Sequence, residues 1–153
     1  MPDLNRRTVS DEPSFWRGVA YGMRAMLIAT HVLFGIPCIV RQNIPLLFTG
    51  YAKFDDQFPF VVWGLASLLA ALLLAVVPMR VPWGLGSTMF SAFLFLFIGF
   101  MFAVGAGLLP GTAMFLGFGA ASGLLFIRSL WFYMIQVQWF QAHVLERTVV
   151  RGR

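Results

Sequence analysis

Residues 81–127 pass without one Asp, Glu, Lys or Arg, although about 20 apolar residues suffice for one helical crossing of a bilayer. The run therefore has room for two crossings and a connection. Leu108-Leu109-Pro110-Gly111-Thr112 supplies the connection, because proline and glycine interrupt a helix and Thr112 can cap the next one. Phe58 to Val77 is also uncharged, bounded by Asp55-Asp56 and Arg80, and predicts another span. Ala25 to Val40 is short for a crossing, so its helix borrows the preceding turns and carries Arg24. The stem of Arg24 can lie along the helix while the guanidinium reaches headgroups or water. The apolar stretch starts late and shows no clear small-x-small cleavage site before Arg41, so it reads as a span rather than a cleaved signal.

The pattern predicts an all-α, polytopic membrane protein: a four-transmembrane-helix bundle over residues 15–140, with spans near 15–40, 58–78, 84–108 and 112–134. Residues 1–14 read as a polar tail, and the last helix continues past the membrane towards a basic tail at 141–153. The connection from Arg41 to Pro59 is too apolar to hang in water, with Ile44, Leu46, Leu47, Phe48, Tyr51 and Phe54. It is expected to lie on the outer interface or fold back over the bundle.

Charge then orients the bundle. Four spans put both termini on one side, which collects Arg6, Arg7, Arg17, Arg24, Arg80, Arg128, Arg147, Arg151 and Arg153. The other side holds only Arg41 and Lys53. The positive-inside rule makes both termini cytoplasmic, in a bacterial inner membrane. Trp16, Trp83, Trp131 and Trp139 near the inner boundary, and Trp63 just inside the outer one, suit interfacial rings. Composition agrees: the chain is 59% hydrophobic and 11% charged, against roughly 45–50% and 25% for a soluble domain, and its mean hydropathy is +0.81. The net charge of +5 reads as topology and attraction to anionic lipid, with Arg24, Arg80, Arg128, Arg147, Arg151 and Arg153 facing headgroups, rather than as a nucleic-acid footprint. The single cysteine, Cys38, excludes an internal disulfide and a CxxC pair.

Candidate chemistry is sparse. No carboxylate lies within a predicted span, which argues against proton-coupled transport and metal catalysis, since both call on buried ionisable groups. No catalytic, cofactor or metal residue is assigned. His31 and Cys38 lie seven apart on one helix face and could begin a metal or haem site. The simpler reading is a hydrogen-bonded histidine and a small core cysteine, because no second histidine or carboxylate on another span completes a ligand set. Haem between the His31 residues of two subunits is the remaining alternative. Asp55-Asp56 with Lys53 could bind a cation or partner, or cap the second helix.

Small residues form a stronger pattern. Ser87, Ser91, Gly99, Ala103, Gly107 and Gly111 recur at steps of four, interrupted by Phe95. Ser67, Ala71 and Ala75 do so in the second span, and Ala113, Gly117 and Ala121 in the fourth, with Gly119 and Gly123 as a GxxxG beside them. The first span has one GxxxG, Gly18 and Gly22. Side chains four apart stack on one face, so small ones leave a groove for another helix backbone. Packing within the chain's own bundle is the simpler use, with surfaces left for neighbouring subunits.

Pro59 followed by Trp63-Gly64 opens the second span, and Arg80 followed by Trp83-Gly84 opens the third. With the short spans and basic tail, this punctuation resembles small phage and prophage multi-span membrane proteins of the holin-like kind. The resemblance covers spans two to four and implies membrane permeabilisation without catalytic residues, by helices that associate in the inner membrane and open above a threshold density. Two departures stand: most holins have one to three spans, and the hydrophilic face that a pore wall needs is not evident. A reading from another class is an accessory or assembly subunit of a secretion, conjugation, respiratory or virion-membrane complex, which accounts better for the missing polar lumen. The partners expected are membrane lipid and either further copies of the chain or other membrane proteins. No motif for an enzyme is present.

Overall fold

The computed structural model describes residues 14–79 and 81–140, which are helical throughout apart from turns and short connections. Helix α1 spans Ser14–Val40, and two single-turn helices, α2 (Ile44–Leu47) and α3 (Ala52–Asp55), flank a 3-10 turn at Thr49–Tyr51. Then come α4 (Phe60–Val76), α5 (Pro82–Ala106) and α6 (Pro110–Phe140). Residues 1–13 of the tail expected at 1–14 lie outside the described residues, as do Arg80 and the tail expected at 141–153 with Arg147, Arg151 and Arg153; Ser14 already belongs to α1. Three stretches are long and apolar enough to cross a membrane: Phe15–Val40, Pro82–Ala106 and Pro110–Met134. Helix α4 is apolar but has only 17 residues. At about 1.5 Å per residue it reaches roughly 25 Å, against a hydrocarbon core of about 30 Å.

Proline sets most of the boundaries. Val77 is extended before Pro78, as a residue ahead of proline is driven to be, and α4 ends there rather than at 78. Pro82 stands at the start of α5, so this helix begins two residues earlier than hydropathy placed it. The reversal between α5 and α6 lies at Gly107-Leu108-Leu109, nearer the start of the chain than the expected Leu108-Leu109-Pro110-Gly111-Thr112. Pro110 is the first residue of α6, a place where its missing N–H leaves nothing unpaired and its fixed φ suits the helix. Gly107 does not extend a packing ladder; it ends α5 with φ at 78°, where a side chain would be strained. Thr112 is likewise no N-cap: its hydroxyl donates to the Gly107 carbonyl at 2.8 Å and ties the turn together.

Helix α1 pairs closely with α4, and α5 with α6; α4 and α5 join these two pairs, and α1 and α6 touch over a shorter length. Each close pair has a contact point made of glycine. Where α1 crosses α4, a Cβ added at Gly64 would lie 2.8 Å from the Gly35 carbonyl, and one at Gly35 3.0 Å from the Gly64 carbonyl, so the two backbones touch. Between α5 and α6 the fit is reciprocal, with Leu116 seated over Gly99 and Leu96 over Gly119. Without a hydrophobic driving force between helices in lipid, such backbone proximity is what gives packing its strength.

The loop between α1 and α4 folds back over the end of the bundle. Phe54 is fully buried, its ring 5.3 Å from Trp63 and 5.2 Å from Phe102, and Tyr51 stacks edge-on against Phe60 and Phe102. Trp63 is therefore buried, not an interfacial anchor: its Nε1 donates to the carbonyls of Phe54 at 3.2 Å and Phe58 at 3.3 Å, fixing the loop. Asp55 accepts the N–H of Phe60 at 2.9 Å and so caps α4, while Asp56 pairs with Lys53 on the surface. Leu46, Leu47 and Phe48 stay exposed.

The glycine contacts make a contrast that unfolding in detergent micelles can measure. Gly64→Ala should destabilise by about 1–3 kcal/mol, because backbone rather than a flexible side chain stands in the way. Gly18→Ala, which meets nothing within 4 Å, should be neutral or stabilise by up to about 1 kcal/mol through better helix propensity. Equal effects would rule out Gly35–Gly64 as the close crossing.

Candidate functional site: a polar layer across the bundle

On α1, Arg17, Arg24, His31 and Cys38 recur every seven residues, and all are buried or half-buried. With Ala20, Leu27 and Phe34 between them they make the inward stripe of the helix, since a step of seven nearly completes two turns. The other long helices add hydroxyls to the same interior: Ser67 from α4, Ser87, Thr88 and Ser91 from α5, and Ser122 and Ser129 from α6, all buried.

Four of these groups, one from each helix, fall at similar depth. His31 Nε2 and Ser91 Oγ share a hydrogen bond of 2.8 Å, and Ser122 donates to the Thr88 carbonyl at 3.0 Å. Ser67 lies between the Gly35–Gly64 crossing and the point where Arg24 meets Leu74, the same interval of α1 that holds His31. The imidazole lies flat against Phe95, with centroids 3.9 Å apart. Among the described residues, His31 Nδ1, Ser67 Oγ and Ser129 Oγ in this interior have no hydrogen-bond partner. Whichever tautomer His31 adopts, one ring nitrogen stays unpaired.

The layer divides the bundle. Towards the base, where α1 begins and α6 ends, Ser87 and Thr88 donate to the Gly84 carbonyl at 2.9 and 3.1 Å. Gly84 must be glycine, because a Cβ there would run into the Pro78 carbonyl. Arg24 departs from the expected orientation towards headgroups: its Nε donates to the Leu74 carbonyl and a terminal NH2 to that of Val77. These are carbonyls at the end of α4, left over by the helix ladder and carrying the negative end of its dipole, so a cation is the fitting cap. Arg128 is half-buried with its guanidinium 5.1 Å above the Phe132 ring one turn on. Towards the loop end the interior is aromatic, with Phe34, Phe54, Phe95, Phe102 and Phe115 in mutual contact. Burial, with the Cys38 thiol adding to it, pushes the Tyr51 phenol above its ordinary range there.

No protein-family model, characterised protein or solved structure matches the chain. Among the described residues, no three of His, Cys, Asp and Glu are grouped to hold a metal ion; His31 turns to Ser91, while Cys38 packs against Gly64.

The small-residue ladders are divided. Ser67, Ala71, Gly99 and Gly119 are buried between helices, and Ala103 and Gly123 are half-buried. Gly18, Gly22, Ala75 and Gly117 face outwards. Sequence reasoning missed Gly35 and Ser122, which belong to no repeat, and the heptad step from Arg17 to Cys38, which was visible.

Two substitutions probe the layer. Ser91→Ala removes the partner of a buried imidazole and should cost about 1–3 kcal/mol in unfolding titrations, whereas Ser87→Ala, whose bond stays within its own helix, should cost under about 1 kcal/mol. Arg24→Met keeps the stem but not the charge; it should cost about 1–2 kcal/mol and speed amide exchange in the last turn of α4.

Proposed function

We propose that this chain is a non-enzymatic integral membrane protein that oligomerises through its outward small-residue faces and permeabilises the membrane in a holin-like manner. In this reading α4 is a fourth span, at the short end of the range for transmembrane helices, with Phe58-Pro59 and Val77-Pro78 extending its reach. Both termini lie in the cytoplasm and the membrane is the bacterial inner membrane, as the arginine distribution favours. The supporting observation is the open space over Gly18, Gly22 and Gly117: a Cβ at any of them would meet nothing within 4 Å. These glycines leave grooves that the chain's own helices do not fill, and a helix of another copy fits them by close backbone approach. Gly18→Ile with Gly22→Ile should then weaken self-association without unfolding the bundle.

The second reading, an accessory or assembly subunit without activity of its own, draws on the aromatic packing at the loop end, which suits a closed building block. Expression of the chain alone in bacterial cells separates the two, with a potential-sensitive dye as readout. Collapse of the membrane potential, reduced by the Gly18 and Gly22 double variant, is the expected outcome. An inert or degraded protein would favour the assembly subunit, as would neighbouring genes for a secretion or respiratory complex in place of an endolysin.

A further inference from the structure

Any hydrophilic path through this protein needs polar walls, and in the described spans these walls face inwards. The outward faces of α1, α4, α5 and α6 are dominated by Leu, Phe, Val, Ile and Met. Thr30, a half-buried hydroxyl on α1, spends its proton on the Met26 carbonyl one turn back. A path formed between neighbouring copies would therefore run along hydrocarbon-like side chains and glycine.

The interior is different on two counts. It gathers His31, Ser67 and Ser91 in the layer with Arg24 and Ser129 towards the base, and among the described residues it leaves His31 Nδ1, Ser67 Oγ and Ser129 Oγ without partners. Water can satisfy buried polar atoms in that condition once the bundle opens far enough to admit it. The loop end carries the opposite character. There Phe54 closes the bundle, packed against Phe34, Trp63 and Phe102. An apolar constriction of this kind holds back water and ions by staying dry. Phe54 belongs to the four-residue helix α3, so it can withdraw without unwinding a long helix. Besides its ring contacts, its segment is tied by the Trp63 bonds to the Phe54 and Phe58 carbonyls, the Asp55 cap on Phe60 and backbone bonds from Gln57 and Phe58 to the Phe54 carbonyl.

We propose that the path for water and ions runs through the interior of this chain's own bundle, lined by the polar layer of His31, Ser67 and Ser91 and gated at the loop end by Phe54. The inference rests on the permeabilising reading above and names its route.

The test uses the full chain with Cys38→Ala, reconstituted into dye-loaded phosphatidylethanolamine–phosphatidylglycerol vesicles. Ser67→Cys, Ser91→Cys and Ser122→Cys place nearly isosteric thiols in the layer, and Leu69→Cys and Phe93→Cys place them at similar depth on exposed faces. The probe is a negatively charged methanethiosulfonate. In leaking vesicles the layer thiols should react on the order of a hundredfold faster than the lipid-facing ones, the ratio set by the penalty for carrying a charge into the bilayer centre. Phe54→Ala should raise the leak rate. Leaking vesicles with layer thiols as inert as the lipid-facing ones would overturn the interior route and leave permeabilisation standing. Vesicles that stay sealed in every variant, Phe54→Ala included, would remove the permeabilising reading and this inference with it.

Discussion

Hydrocarbon offers a hydroxyl, an imidazole or a guanidinium nothing to bond to, so a helix that carries such groups must turn them towards other helices. The stripe from Arg17 to Cys38 imposes that requirement on α1, and the neighbours answer it at specific places. Ser91 meets His31, and the end of α4 meets Arg24. Once these partners are set, the depth and rotation of α1 against α4 and α5 are set with them. The glycine crossing at Gly35 and Gly64 then allows α1 and α4 to come close enough for the arginine to reach. Polar pairing and close packing are thus two sides of one arrangement.

The elements were largely legible along the chain because hydropathy and proline report on single segments. The charge-free run from Val81, the break near Pro110 and the boundary at Pro59 all correspond to helix ends within a few residues. What resisted reading was relational. The Arg24 side chain was expected to reach headgroups, since nothing local says that the carbonyls of Leu74 and Val77 end a helix beside it. Trp63 fits an interfacial ring by composition, and only the return of Phe54 over the bundle buries it. Steps of four mark a small-residue face but not its occupant: Gly99 and Gly119 receive leucines, while Gly18 and Gly117 receive nothing from this chain.

The two Trp-Gly pairs show how one motif can serve two purposes. Gly64 is small because a second backbone passes over it, and Gly84 because its own chain doubles back at Pro78. Their tryptophans part in the same way, Trp63 buried against Phe97 with rings stacked 5.5 Å apart and Trp83 exposed at the base. The recurrence at the start of α4 and α5 therefore reflects two local solutions to crowding rather than a repeated binding element.

The brevity of α4 reaches beyond the molecule. Its 17 residues cover roughly 25 Å, while the 25 of α5 cover nearly 40 Å. If α4 crosses the membrane, as proposed above, a bilayer meeting both must be thin along one flank and full-depth along the other, and each ångström of such mismatch carries a small elastic cost. Two copies that place their α4 flanks side by side share one thinned strip in place of two. In the oligomeric, four-span reading proposed above, the membrane itself would then draw the copies together, in a preferred orientation, before any side chain of one touches the other.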